Sequence, residues 1–155
     1  MKISKILHQD KILAELKGNS KEEVINELVD LFVSDNRVTN VEEIRKAVFE
    51  REKIMSTGIG SGFAIPHAKS DAVKEMVAAF GKSAHPVDFN SNDNQPVNLV
   101  FLFVSNNRLV GDHIKLLSRI SKMMEKSEFR AKLMNTNSSE QIYFLFQTEE
   151  NNLLT

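Results

Sequence analysis

The 155-residue chain contains no cysteine. It therefore holds no disulfide framework, no thiolate nucleophile and no cysteine-based zinc site. A chemical relay that ends on a cysteine has to end on another chain. Charge of one sign is not in excess either. Lys and Arg number 20 against 21 Asp and Glu, a net charge of −1, so the basic footprint of a nucleic-acid binder is missing. No window approaches the ~20 apolar residues that span a bilayer, and no membrane insertion is expected. The first ten residues carry Lys2, Lys5, His8 and Asp10 and lack an apolar secretory segment, which makes the cytoplasm the expected location. Internal repeats, low-complexity segments and linkers are also missing.

What is present is ordinary in bulk and unusual in one place. An apolar fraction of 41% and a charged fraction of 26% suit a soluble globular chain with a real core, expected as a single domain over residues 1–155. The unusual stretch is Ser56 to Ala68, S-T-G-I-G-S-G-F-A-I-P-H-A. Gly58, Gly60 and Gly62 alternate, an apolar run follows from Phe63 to Ile65, and Pro66 precedes His67. Glycine frees the backbone and admits close approach to it. Proline restricts itself and biases Ile65 towards an extended shape. The stretch predicts a side-chain-poor loop feeding a stiff strand that presents one imidazole.

Around it the apolar periodicity places strands and helices. Residues 11–17 read as a strand with Ile12, Ala14 and Leu16 on one face. Ser20 and Glu23 fit a capping box, opening a helix with Val24, Ile25, Leu28, Leu31 and Phe32 inward, ending near Ser34–Asp35–Asn36. A second box at Thr39–Glu42 opens a helix with Val41, Ile44, Ala47 and Val48 inward, which carries Arg51 into the glycine loop. Met76–Ser83 reads as a strand, His85–Phe89 as a connection, and Ser91–Gln95 as a turn. Val97–Val104 is a strand buried on both faces. Asp112 is the expected N-cap of the next helix, placing His113 at its first position, with Leu116, Leu117, Ile120, Met123 and Met124 on the same face. Two further helices follow. One begins near Ser127 with Phe129, Leu133 and Met134 inward. The other begins near Ser138, with Gln141 in the capping-box position and Ile142, Leu145 and Phe146 inward, and Glu149–Thr155 fraying. Strands and helices mix without strict alternation. The expected fold class is α/β, a central mixed β-sheet flanked by helices on both sides.

Four histidines are available. His8 and His85 read as surface or loop residues. His67 and His113 each adjoin apolar structure, and a helix start at His113 would favour a negative group. Arg51 has two readings, a solvated surface charge or a cation folded back over the glycine loop. The order helix, glycines, strand argues against a P-loop and against a dinucleotide fingerprint. A metal held by two histidines with Asp71 or Asp112 remains open. So does a hydrolase using Ser56 or Ser61, although no nucleophile elbow surrounds either. A phosphohistidine carrier needs a neutral imidazole, a neighbour that fixes its tautomer, cationic or N–H groups for the moving phosphoryl, and an accessible face.

The run from Arg51 to His67, R-E-K-I-M-S-T-G-I-G-S-G-F-A-I-P-H, resembles the signature of the type-2 EIIA domains of the bacterial phosphoenolpyruvate-dependent sugar phosphotransferase system. These are the fructose/mannitol domains and their nitrogen-regulatory relatives. The resemblance extends to D-N-Q-P-V-N-L-V-F from Asp93 and G-D-H-I-K-L-L-S from Gly111. It implies that His67 is the phosphoryl-accepting nucleophile, that His113 orients it and contacts the phosphoryl group, and that Arg51 stabilises the added charge. Ser56, Thr57, Gly58, Gly60, Gly62 and Pro66 belong to the supporting loop. It implies a mixed sheet with helices on both sides, no metal and no organic cofactor. The implied partners are an HPr-type phosphocarrier protein as donor and, downstream, a separate EIIB acceptor that uses a cysteine or a regulated target protein. The stand-alone chain and the D-N-Q-P-V segment lean towards the regulatory branch, while S-N-N-R-L-V-G-D-H matches neither branch.

Overall fold

The computed structural model describes residues 1–154. In chain order the elements are α1 (Ile3–Ile6), β1 (Leu7–Leu13), α2 (Lys21–Asp30), α3 (Val41–Ile54), β2 (Gly58–Gly60), β3 (Phe63–Ala64), β4 (His67–Lys69), β5 (Val77–Val87), β6 (Val97–Ser105), α4 (Val110–Glu125), α5 (Ser127–Met134) and α6 (Ser139–Leu154). The strands form one mixed sheet in the order β1-β5-β6-β3-β2, with β4 also paired to β6. β1 runs parallel to β5, β5 antiparallel to β6, β3 and β4 parallel to β6, and β2 antiparallel to β3. The expected α/β class with a mixed sheet between helices is what forms.

The side-chain period of two along β6 creates the two layers. Leu99, Phe101 and Phe103 face α4, α5 and α6 and share a core with Ile3, Leu7, Leu116, Ile120 and Phe146. Val100, Leu102 and Val104 face the other way and share a core with Val24, Leu28, Ile44 and Val48 of α2 and α3. Both faces are buried, so a one-residue slip of β6 would exchange phenylalanines for valines in both cores at once, which fixes the register.

This register also positions His67. It pairs laterally with Phe103, so it shares the face that carries α4. Its neighbour Ala68 turns to the other core, beneath α3. Phe63–Ala64 and His67–Lys69 are two short strands along one edge of β6, separated by Ile65–Pro66. The expected apolar strand thus breaks at the proline and resumes at the histidine. The Pro66 carbonyl still accepts the Phe103 N–H at 3.1 Å.

Several local expectations shift. The first strand is Leu7–Leu13 rather than residues 11–17, and Met1–Asp10 contains a helical turn whose Ile3 and Ile6 are buried. Leu16 lies past the strand and enters the opposite core from Ile12. α2 stops at Asp30, with turns replacing its expected last residues. The cap of α3 is Asn40, whose side chain accepts the Glu43 N–H at 3.1 Å. Thr39 instead donates both N–H and hydroxyl to the Ala72 carbonyl. β5 runs on through His85 and Pro86 to Val87. α4 begins at Val110, so Asp112 lies in its first turn and is not its cap. There its carboxylate still suits the helix dipole. Met134 points outward. Glu149–Leu154, expected to fray, belong to α6, which buries Glu150. Thr155 lies outside the described residues.

Candidate active site

His67, at the start of edge strand β4, is buried with one edge of its ring open to a cavity. Its Nδ1 lies 2.7 Å from the Ile65 carbonyl oxygen. A carbonyl only accepts, so Nδ1 carries the proton and Nε2 keeps its lone pair. The ring stacks on Phe103, with centroids 5.4 Å apart and planes at 11°. Stacking and hydrogen bond together leave the imidazole little freedom to rotate.

His113 comes from α4. Its N–H closes the first turn by donating to the Leu109 carbonyl at 2.9 Å, so it is not the free helix-start donor expected from an Asp112 cap. What it contributes is its ring. The centroid lies 5.4 Å from that of His67 and 4.9 Å from that of Phe103, and Nδ1 is hydrogen-bonded to the Ser105 hydroxyl at the end of β6.

Arg51 comes from the last turn of α3. Its Nη1 donates to the Met55 carbonyl at 3.0 Å, which serves an orphan acceptor at the helix end and matches the dipole. Arg51, His67 and His113 line one open cavity of about 440 Å³ together with Ala47, Glu50, Ile54, Ala68 and Lys69. Arg51 thus lies neither free on the surface nor over the glycine loop, but beside His67 at the cavity. Burial pushes the His67 imidazole below its ordinary 6.5, and nearby Arg51 and Lys69 push the same way. The Ile65 bond and the Glu52 charge oppose them. Burial, followed by His67, Lys69 and Arg51, takes His113 down to about 4. Both rings are therefore neutral near pH 7.

The loop residues do not line this cavity. Gly60 (φ 124°), Ser61 (φ 56°) and Gly62 (φ 82°) make the tight turn between β2 and β3. Gly58 packs so closely on the Phe89–Ser91 segment that a Cβ would overlap Ser91 Oγ. Ser56 donates its hydroxyl to the Phe89 carbonyl. Thr57 bonds the buried Glu52 carboxylate. Pro66 separates the two edge strands. These residues form the frame that holds His67.

Sequence reasoning missed Lys69, Ser105 and Glu52. Lys69 was open to discovery, because it lies two residues beyond His67 on a strand and hence on the same face. Ser105 and Glu52 carry no local signal, since their importance comes from partners in other segments. The open alternatives lose their geometry. Asp71 accepts from Asn107 at 3.1 Å, Asp112 lines a different cavity with Lys2 and Glu75, and no group of three metal-ligating side chains forms among the described residues. Ser56 and Ser61 are bonded to or held against the 89–93 segment, away from His67. No helix among the described residues is long and apolar enough to cross a membrane.

The fold and site define an α/β protein with a tautomer-fixed histidine lining an open cavity beside a second histidine and cations. The chain belongs to the family described as "Phosphoenolpyruvate-dependent sugar phosphotransferase system, EIIA 2", whose sequence model matches residues 5–149. Among curated relatives, it is 35% identical over 92% of its length to the PTS system fructose-specific EIIABC component of Bacillus subtilis, and spans only 22% of that protein. It is 32% identical to a nitrogen regulatory protein of Bradyrhizobium diazoefficiens, covering 92% of this chain and 93% of that one. It is 35% identical to a fructose-specific EIIA component of Haloferax volcanii, covering 90% and 91%. Among solved structures, the nitrogen regulatory protein IIA-Ntr of Neisseria meningitidis superposes with a TM-score of 0.87 at 29% identity, covering 93% and 98%. IIA mannitol of Escherichia coli shares the fold, with a TM-score of 0.76 at 23% identity over 90% and 97%.

Proposed function

We propose that this protein is a phosphohistidine carrier in which Nε2 of His67 accepts a phosphoryl group from an HPr-type phosphocarrier protein. The observation that carries this reading is the 2.7 Å contact of His67 Nδ1 with the Ile65 carbonyl. It leaves Nε2 as the only nitrogen with a lone pair, on the side away from the backbone. The Nε2 lone pair attacks phosphorus. The bond from phosphorus to the donor breaks, and its electron pair leaves with the donor. Nδ1 keeps its proton throughout, so the step needs no general base. Arg51 and Lys69 supply positive charge to the moving phosphoryl, and His113 supplies a ring nitrogen beside His67. An exposed apolar side chain, Ile54 (80% exposed), lines the cavity from the end of α3. Such an opening suits docking of a protein donor and then a protein acceptor.

Two outlets share this chemistry. In one, the phosphoryl group passes to a cysteine of an EIIB-type protein on another chain and serves sugar uptake. In the other, phosphorylated and free His67 differ in charge and select different regulated partners. Relatives of both kinds, fructose-specific and nitrogen-regulatory, match this chain end to end at similar identity. Incubation with phosphoenolpyruvate, enzyme I and an HPr-type donor is expected to give an acid-labile adduct that His67→Ala abolishes. An adduct persisting in that variant would overturn the assignment. Pull-downs with phosphorylated and free protein separate the outlets, a regulatory role requiring different partner sets.

A further inference from the structure

Glu52 is the residue after Arg51 and points to the other side of α3, away from the cavity. Its carboxylate is buried and fully engaged. One oxygen accepts the Thr57 N–H at 2.8 Å and lies 2.6 Å from Lys21 Nζ, while the other accepts the Thr57 hydroxyl at 2.5 Å. Lys21 opens α2 and also reaches the Phe89 carbonyl at 3.4 Å. One carboxylate thus joins the start of α2, the end of α3 and the entry to the glycine hairpin.

The hairpin carries the restraint onward. The Thr57 carbonyl accepts the Ile65 N–H at 3.0 Å, and the Ile65 carbonyl accepts the His67 Nδ1 proton at 2.7 Å. Only two residues, Thr57 and Ile65, separate the Glu52 clamp from the imidazole. Ile65 lies in the break between β3 and β4, and its support comes from the β2 side, as a continuation of the Gly58–Ala64 pairing. Its N–H turns away from β6 to Thr57, and the side chain of its successor, Pro66, removes the next donor. The orientation of the Ile65 carbonyl therefore depends on Thr57, and that of Thr57 on Glu52.

We infer that Glu52 is a positioning residue for phosphoryl acceptance, holding Thr57 and through it the Ile65 carbonyl that keeps the proton of His67 on Nδ1. Glu52 touches neither the phosphoryl group nor His67, and acts through the backbone of the hairpin. The inference rests on the carrier function proposed above. In Glu52→Gln the amide oxygen can keep both the Thr57 N–H and the side facing Lys21, but the amide N–H₂ then replaces the acceptor of the Thr57 hydroxyl and Lys21 loses its counter-charge, so the clamp loosens. Thr57→Val removes one hydroxyl and leaves the Thr57 peptide intact. Thr57→Ser retains both donors.

The experiment is ¹⁵N NMR of the His67 ring in unphosphorylated protein, combined with the rate of phosphoryl acceptance from an HPr-type donor. In the parent protein Nδ1 is expected to be the protonated nitrogen. In Glu52→Gln and Thr57→Val the ring is expected to become a tautomer mixture, and the acceptance rate to fall roughly tenfold to a hundredfold. Thr57→Ser is expected to keep the parent behaviour in both readouts. Parent-like ring shifts and rates in Glu52→Gln and Thr57→Val would overturn the inference, as would a slower rate with an unmixed tautomer. If Glu52→Gln fails to fold, Thr57→Val alone decides. The ring signals need no phosphoryl transfer, so a parent protein that never accepts phosphate counts against the carrier function while the tautomer still tests Glu52.

Discussion

The Ser105 hydroxyl and Nδ1 of His113 meet in a fully buried position, where the last residue of β6 touches α4. Among the described residues that hydroxyl bonds to nothing else. An O–H buried without an acceptor costs about 1–3 kcal/mol, so Ser105 donates to Nδ1, and His113 carries its proton on Nε2. The two histidines therefore hold opposite tautomers. His67 presents a bare Nε2 to the cavity, and His113 presents Nε2–H. One ring offers a bare nitrogen and the other an N–H donor, set by a backbone carbonyl in the first case and a side-chain hydroxyl in the second.

Ser105→Ala removes the group that sets His113. Nδ1 then has no partner, and the ring can flip or take the other tautomer. Phosphoryl acceptance is expected to fall about tenfold and stability by about 1–2 kcal/mol. Transfer kinetics and urea unfolding check the pair. An unchanged rate with lowered stability would leave His113 as packing alone.

The pH dependence follows from the same burial. His67 must be neutral to attack, and burial with its neighbouring cations holds it below 6.5. Acceptance is expected to stay level from about pH 8 through the range where an exposed histidine already loses its lone pair, and to decline only at more acidic pH. Stability moves the same way. The folded value of His113 is about 4, against 6.5 for the unfolded chain, so on acidification the unfolded state takes up the proton first. The contribution is intact above pH 6.5 and drains away as pH falls towards 4. His113→Gln should flatten this part of the stability profile, measured by urea unfolding at stepped pH. An equally steep profile in the variant would show that other groups cause the acid loss.

Apolar periodicity was enough to reveal β6, α3 and α4, because each spans several periods and buries a continuous stripe. The candidate histidine, His67, was legible because glycine and proline mark irregular backbone, and irregular backbone here adjoins the site. The N-terminal lead and the last turns of α6 were not legible. α1 is a single turn, too short for a period to register, and Ile3, Ile6 and Leu7 look like isolated apolar residues in a charged lead. Asp112 is ambiguous by nature, since a carboxylate suits both the cap and the first turn of a helix. Ser105, Glu52 and Glu150 act through partners far away in sequence, and no local pattern encodes those partners.

The glycines make a contrast that can be measured. A Cβ on Gly58 would overlap Ser91 Oγ and stand 3.1 Å from Phe89 Cβ, whereas one on Gly111, in the first turn of α4, meets nothing within 4 Å. Gly58→Ala is expected to destabilise by about 1–3 kcal/mol, through overpacking of the segment that anchors Ser56. Gly111→Ala is expected to stabilise by up to about 0.5–1 kcal/mol, because alanine loses less backbone freedom in a helix. Equal effects of both substitutions in thermal unfolding would contradict the packing seen at Gly58.

Glu150 locks the two ends of the chain together. Its carboxylate, 1% exposed, accepts the Ile3 N–H at 3.0 and 2.7 Å and pairs with Arg119 at 3.1 Å. It thus serves the free N–H groups at the start of α1, which has no side-chain cap of its own. Glu150→Ala leaves those donors without their acceptor inside the fold and Arg119 with the Met1 carbonyl alone, and α1 is expected to detach with Ile3 and Ile6. The expected loss is about 2–4 kcal/mol, with earlier proteolytic cleavage before β1. Glu150→Gln keeps an acceptor but loses the charge, so its loss should be smaller. Neither substitution touches the cavity around His67, and the phosphoryl-acceptance rate of the folded fraction should match that of the parent protein. A variant that keeps its stability but transfers slowly would mean that the chain ends communicate with His67.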